Sequence, residues 1–345
     1  MVSKGFPLVS ILIPIRNEAT YIERCLDAVL GQDYPPERLE ILIADGQSDD
    51  GTREMINHYQ SKFPNIFCCE NPGKIVPTGL NRLIPQAKGD ILIRVDGHCL
   101  IAPDYVSNCV KHLQTGQVDG VGGPMHSIGE DTVSQAIALA MSSKFGVGGS
   151  AFRTESGQTK LVDTVPFPAY TREIIEKVGP YDEELVRNQD DEYNCRIRKA
   201  GGKILLAADV CSTYYSRGSL HGLWRQYFQY GFFKVRVLQK HPAQMRPRQF
   251  IPFAFVMAIL IGLLLTIFTP WEWIPLALLT VIYLFANLAA SMMVAVKSGW
   301  RFLPMLPPAF ATLHVSYGLG FLVGLIKFRN RWRDKTGRVP KGTNA

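Results

Sequence analysis

The chain has 345 residues, with 37 Lys/Arg against 30 Asp/Glu for a net charge of +7, and seven cysteines. That length provides one large domain or two smaller ones with material for a buried core. The cysteines at 25, 68, 69, 99, 109, 195 and 211 form neither a CxxC zinc spacing nor a secreted disulfide framework, so reduced, cytosolic thiols are expected. The charge is uneven. From Arg236 onward 13 Lys/Arg face two acids, Glu272 and Asp334, whereas the rest holds 24 basic against 28 acidic residues. A basic, apolar end beside a mildly acidic body points to a membrane surface with anionic lipid. Nucleic acid is not expected as a partner, because the basic residues flank apolar runs rather than an aromatic-studded polar face.

Residues 1–7 lead straight into a buried strand at 9–14, so no signal peptide is expected. Helix 18–30 follows, with Ile22, Leu26, Val29 and Leu30 at core-facing spacing. Then come strand 39–44, helix 51–63, a short strand at 66–68, helix 77–87, strand 91–95, helix 105–114 and a strand at 120–123. This alternation is that of an α/β protein with a mostly parallel, Rossmann-like sheet. A small-residue stretch at 133–149 leads into helices 171–178 and 190–200, the second stopped by Gly201-Gly202, and a strand at 203–207. The stretch 220–238 reads as an amphipathic helix suited to a lipid surface.

Beyond Arg248 the runs 250–269 and 274–296 are uncharged, apart from Glu272 between them, and long enough to span a bilayer; Trp271 and Trp273 stand there as interface anchors. A third run, 302–326, carries Pro304, Pro307, Pro308 and His314, and a basic tail follows it from Lys327 through Lys335 to Arg338. Arg246 and Arg248 place the first span's start in the cytoplasm, and the tail belongs there too. Two spans and a proline-broken, re-entrant or interfacial third segment reconcile these signals. The expected organisation is a cytoplasmic domain at 1–235 and a helical, multi-pass region of the cytoplasmic membrane at 236–345.

Three acidic clusters fall at strand exits or helix starts: Asp45 to Asp50, Asp96-Gly97-His98 and Asp190-Asp191-Glu192. Ligands of open α/β sheets bind beyond the carboxyl ends of strands. Asp96 and His98 can share one divalent cation, Mn²⁺ or Mg²⁺, if Gly97 allows a sharp turn. Asp190 can act as a base towards an acceptor hydroxyl, or can simply cap its helix. Asp45 can accept hydrogen bonds from a ribose or base edge. Neither a GxxxxGK[ST] loop nor a GxGxxG fingerprint occurs.

VSILIPIRNE at 9–18, ILIADGQSDD at 41–50, GDILIRVDGH at 89–98 and the stretch 189–204 together resemble the family 2 glycosyltransferases, inverting enzymes of GT-A fold. Through IRVDGH, NQDDE and the apolar end, the chain is most similar to membrane-attached bacterial exopolysaccharide glucosyltransferases of the succinoglycan type. The resemblance implies that Pro14, Arg16, Asn17 and Glu18 form the first nucleotide-contacting loop. Asp45 would grip the uracil or ribose, with Ser48 and Asp49 shaping its loop. Asp96 would meet donor and metal, and Asp190 would deprotonate the acceptor; Arg94 is a candidate for the donor phosphates or simply a partly buried strand arginine. Arg217, Arg225 and Gln226 are candidate diphosphate or acceptor contacts.

Three positions depart from the family pattern. His98 replaces the last Asp of DxD, and Gln189 replaces the usual Glu before the base. Gln226 to Tyr230 (QYFQY) stands where processive synthases carry QxxRW, which favours single addition. The expected activity is transfer of one sugar from a nucleotide-sugar, a UDP-sugar first, to a lipid-linked polyprenyl-diphosphate glycan. A polyprenyl-phosphate monosaccharide synthase, a metal-dependent nucleotidyltransferase and a non-catalytic nucleotide-sugar-binding membrane protein remain alternatives.

Overall fold

The computed structural model describes residues 5–154, 157–268 and 273–334. They fall into two compact units, one of residues 5–126 and 157–214, the other of 127–154 and 215–334. In chain order the first stretch holds β1 (Val9–Ile15), α1 (Ile22–Leu30), β2 (Leu39–Asp45), α2 (Thr52–Lys62), β3 (Ile66–Glu70) and α3 (Val76–Leu83). Next come β4 (Ile91–Arg94), β5 (Cys99–Ile101), α4 (Tyr105–Leu113), β6 (Gly120–Gly122) and β7 (Met125–Ile128). Three helices follow, α5 (Thr132–Met141), α6 (Lys144–Val147) and α7 (Ala151–Thr154). The chain continues through β8 (Lys160–Leu161), β9 (Ala169–Thr171), α8 (Arg172–Val178), α9 (Gln189–Lys199), β10 (Ile204–Leu206) and β11 (Ser212–Tyr215). The last helices are α10 (Leu220–Lys240), α11 (Ile251–Phe268), α12 (Trp273–Ser298) and α13 (Leu306–Lys327).

In the first unit an eight-stranded sheet runs β3-β2-β1-β4-β9-β6-β10-β8. Every residue of β1 and β2 is buried, which is why these strands read as mostly apolar runs rather than alternating ones, with Ser10 and Glu40 as buried polar exceptions. β3, β2, β1 and β4 are mutually parallel, and β9 enters antiparallel between β4 and β6. Register places Ile15 beside Asp45 and Leu12 beside Arg94, so three strands release their chains at one edge of the sheet. All seven cysteines are free thiols, and burial pushes those of Cys25, Cys99 and Cys109 well up.

The second unit contains three helices, α11, α12 and α13, long and apolar enough to cross a membrane. Of the α11 side chains Val256 is buried, while Leu263, Leu264, Ile267 and Phe268 are exposed. These helices mark the chain as membrane-associated. Trp273 opens α12 and is exposed as an interface residue would be, whereas Trp271, Lys335 and Arg338 lie outside the described residues.

The proline break expected in the third run is absent. Pro307 and Pro308 occupy the first turn of α13, where a missing N–H is tolerated, and the helix then runs for 22 residues. His314 in that helix shares a hydrogen bond with the Tyr283 hydroxyl (3.0 Å) through Nδ1 and reaches the Phe145 carbonyl (2.9 Å) through Nε2, a structural tie. The expected boundary near 235 falls inside the continuous α10. Glycines bring α10 and α13 into backbone contact: a Cβ on Gly231 would stand 2.0 Å from the Tyr317 carbonyl, and one on Gly320 2.0 Å from that of Phe228.

Candidate functional site

The loop after β1 and the loop after β2 brace each other. Asn17 adopts a left-handed φ of 56°, a conformation Asn tolerates better than most residues. Its amide donates to Ser48 Oγ (2.9 Å), its Nδ2 donates to Asp49 Oδ1 (2.8 Å), and Asp49 N donates back to Asn17 Oδ1 (3.1 Å). The Glu18 amide is held by Thr52 Oγ1 (2.9 Å) and that of Ala19 by Asp50 (3.1 Å). This loop explains why α1 starts at Ile22 rather than at Glu18. Asn17, Ser48 and Asp49 thus spend their polar groups on one another. Pro14 is buried within β1 beside Ala44, and Arg16 is exposed.

Asp45 ends β2 with 1% of its side chain exposed. Its carboxylate accepts Ser48 N (3.1 Å) and Ser48 Oγ (2.6 Å), and on the other oxygen Arg53 Nε (3.0 Å) and Nη2 (2.8 Å). Arg53 was not among the expected site residues. Its signal was legible: a cation in the first turn of α2, where the helix dipole favours an acid, eight residues after a strand-end Asp.

Arg94, the last residue of β4, is 5% exposed rather than open towards phosphates. Nε and Nη2 donate to Asp96 Oδ1 (3.0 and 2.8 Å), and Nη1 pairs with Asp190 Oδ1. Burial works against its charge, but the attraction of Asp96 outweighs it and the guanidinium's pKa is raised, so it stays ionised. One buried cation therefore joins the strand-exit carboxylate to the helix-start carboxylate, although 96 residues separate Arg94 from Asp190. Tyr181 lies alongside, its hydroxyl pushed up to about 12 by burial and so kept neutral.

Asp190 lies in the first turn of α9 and is not its cap. That place belongs to Asn188, in a left-handed φ of 63°. Glu192 is buried and spent on a two-point pair with Arg196 (2.8 and 3.0 Å), whose guanidinium also bonds the Val178 carbonyl (3.0 Å). Gln189 is buried at the helix start.

Gly97 sits in the sharp turn expected there, closed by Cys99 N donating to the Asp96 carbonyl (2.9 Å), and makes it without a left-handed φ; it also provides clearance. A Cβ there would meet Ile15 Cγ2 at 2.8 Å and Glu18 Cγ at 3.0 Å. That gap lets Glu18 Oε1 reach His98 Nδ1 at 2.7 Å, and the His98 ring lies edge-on to Tyr214 at 5.1 Å between centroids. Both Arg94 bonds to Asp96 land on Oδ1, and Glu18 takes His98 Nδ1, which leaves Asp96 Oδ2 and His98 Nε2 as donor atoms for a cation. Among the described residues no group of three or more His, Cys, Asp or Glu could hold a metal by itself. Two protein ligands suit a cation whose other positions are filled by phosphate oxygens and water. Arg217, Arg225 and Gln226 belong to the second unit; Gln226 is buried, and its Nε2 donates to the Tyr230 hydroxyl one turn on (3.1 Å).

Residues 10–179 match the family model described as glycosyl transferase family 2. The succinoglycan biosynthesis protein ExoA of Rhizobium meliloti is 32% identical over 330 residues, covering 93% of this chain and 96% of that one. A dolichyl N-acetyl-alpha-D-glucosaminyl phosphate 3-beta-D-2,3-diacetamido-2,3-dideoxy-beta-D-glucuronosyltransferase of Methanococcus voltae is 29% identical, covering 92% of this chain and 97% of that one. The mannosyltransferase PcManGT of Pyrobaculum calidifontis, solved with GDP-Man and Mn²⁺, superposes with a TM-score of 0.59 at 20% identity, over 92% of this chain and 88% of that one.

Proposed function

The chain belongs to glycosyl transferase family 2 and is a glycosyltransferase of GT-A fold, and on that premise we propose an inverting enzyme that moves one sugar from a nucleotide-sugar to a lipid-linked glycan in cell-surface polysaccharide synthesis. A UDP-sugar is the favoured donor. The observation that carries this reading is the Asp96–Arg94–Asp190 chain at the carboxyl edge of the parallel strands.

Asp190 takes the proton from the acceptor hydroxyl as that oxygen attacks the anomeric carbon from the face opposite the nucleotide. Arg94 holds the Asp190 carboxylate in place. Asp96 Oδ2 and His98 Nε2 would hold a divalent cation, Mn²⁺ suiting the imidazole. When bound, that cation neutralises the negative charge that builds on the departing nucleoside diphosphate. Asp45 and the braced loops of Asn17, Ser48 and Asp49 form the floor of the nucleoside site, and Arg53 on the Asp45 carboxylate is the group a base or ribose would displace.

The relatives support the acceptor class. The Rhizobium protein is described by succinoglycan biosynthesis and the Methanococcus enzyme by a dolichyl-phosphate sugar. Membrane association puts enzyme and lipid-linked acceptor in one plane and raises their effective concentration. The catalytic domain lies on the cytoplasmic side of the membrane in this reading, because Arg246 and Arg248 precede the first span.

Asp190→Asn tests the base. Nucleotide-sugar binding should persist while the transfer rate falls by about 10²–10⁴-fold. A near-normal rate would exclude base catalysis on a hydroxyl and favour a phosphate acceptor, as in a polyprenyl-phosphate monosaccharide synthase.

A further inference from the structure

Resting on the metal-assisted transfer proposed above, we infer that Glu18 is a positioning residue for the cation site, fixing the tautomer and aim of His98 so that Nε2 presents its lone pair. Four observations converge on it. The Glu18 carboxylate lies 2.7 Å from His98 Nδ1, with 18% and 15% of the two side chains exposed. A neutral imidazole that donates Nδ1–H to a carboxylate keeps Nε2 as an acceptor, the arrangement that orients metal-ligating histidines.

The backbone of Glu18 is rigidly placed. Its N–H is held by Thr52 Oγ1 (2.9 Å), and its carbonyl accepts Tyr21 N and Ile22 N (2.9 Å each) where α1 begins. Gly97, between the two candidate ligands, clears the path, since a methyl there would stand 3.0 Å from Glu18 Cγ. Tyr214 closes on the ring edge-on and limits its rotation. The carboxylate expected to touch nucleotide is thereby committed to the imidazole. A pair that merely tied the first loop to the β4 exit would leave cation affinity indifferent to Glu18.

The test is a Mn²⁺ titration followed by electron paramagnetic resonance, on the full chain in detergent with UDP present and no acceptor, so that no turnover is read. Glu18→Ala should weaken Mn²⁺ binding by about 10–100-fold. Glu18→Gln, whose amide oxygen still accepts from Nδ1, should retain most of it. His98→Ala should weaken binding at least as much as Glu18→Ala, and the double variant no further than His98→Ala. If Glu18→Ala does not fold, Glu18→Asp, which shortens the reach, carries the same prediction. Unchanged affinity in the Glu18 variants with a loss in His98→Ala overturns the inference and leaves the metal reading standing. Unchanged affinity in His98→Ala overturns both.

Discussion

Arg94 is a full charge in a place nearly closed to water, and it survives there because two carboxylates meet it. The cost of burying a guanidinium is offset when its N–H groups are taken by ionised partners, and here Nε, Nη1 and Nη2 all are. Removing it leaves Asp96 and Asp190 facing each other without a counter-charge. Arg94→Met should therefore destabilise the fold by about 1–3 kcal/mol and lower the transfer rate more than it raises the donor KM. Thermal unfolding together with steady-state kinetics checks this; a KM effect alone would make Arg94 a donor-phosphate ligand after all. At this scale the acids were legible in the sequence, since Asp96, His98 and Asp190 stand at strand exit and helix start. Their partners were not. Which nitrogen-bearing side chain meets which carboxylate is decided by contacts such as Arg94 to Asp190 and His98 to Glu18, 96 and 80 residues apart, which no local pattern encodes.

Among the elements, the parallel half of the sheet could be read directly, because β1, β2 and β4 are buried on both faces and are mostly apolar. β9 escaped notice. It has three residues, Ala169 to Thr171, and takes its place by pairing with β4 and β6 rather than by any alternation of its own. β5, β8 and β11 are similarly two to four residues long. The α10–α13 crossing was hidden for a different reason: glycines in an apolar run suggest breaks, but here they permit backbone approach. Gly320→Ala should cost about 1–3 kcal/mol through the collision with Phe228 and lower the unfolding temperature in detergent. An unchanged unfolding temperature would mean that the two helices are not held in this contact.

Over the whole chain, the membrane question turns on α10. It carries Arg225, Lys234, Arg236 and Lys240, too many cations for a hydrocarbon core, yet it runs against the later half of α13 through Gly231, Gly320 and Gly324. Arg236 is fully buried and donates to the carbonyls of Arg331 and Asp334 just beyond α13. So charged a partner against its later half sets α13 apart from α11 and α12, and the cytoplasmic orientation proposed above predicts that only α11 and α12 cross the bilayer. A green fluorescent protein fused at the C-terminus should then fluoresce, while alkaline phosphatase at the same point should be inactive; the reverse pattern would require three spans.

The central claim, transfer of one sugar through the Asp96–Arg94–Asp190 site, is tested most directly by mass spectrometry of a lipid-linked glycan acceptor incubated with UDP-sugar and Mn²⁺. One added sugar per acceptor, matched by one UDP released and lost in Asp190→Asn, is the predicted result. A ladder of additions, or an increment that survives Asp190→Asn, would contradict it.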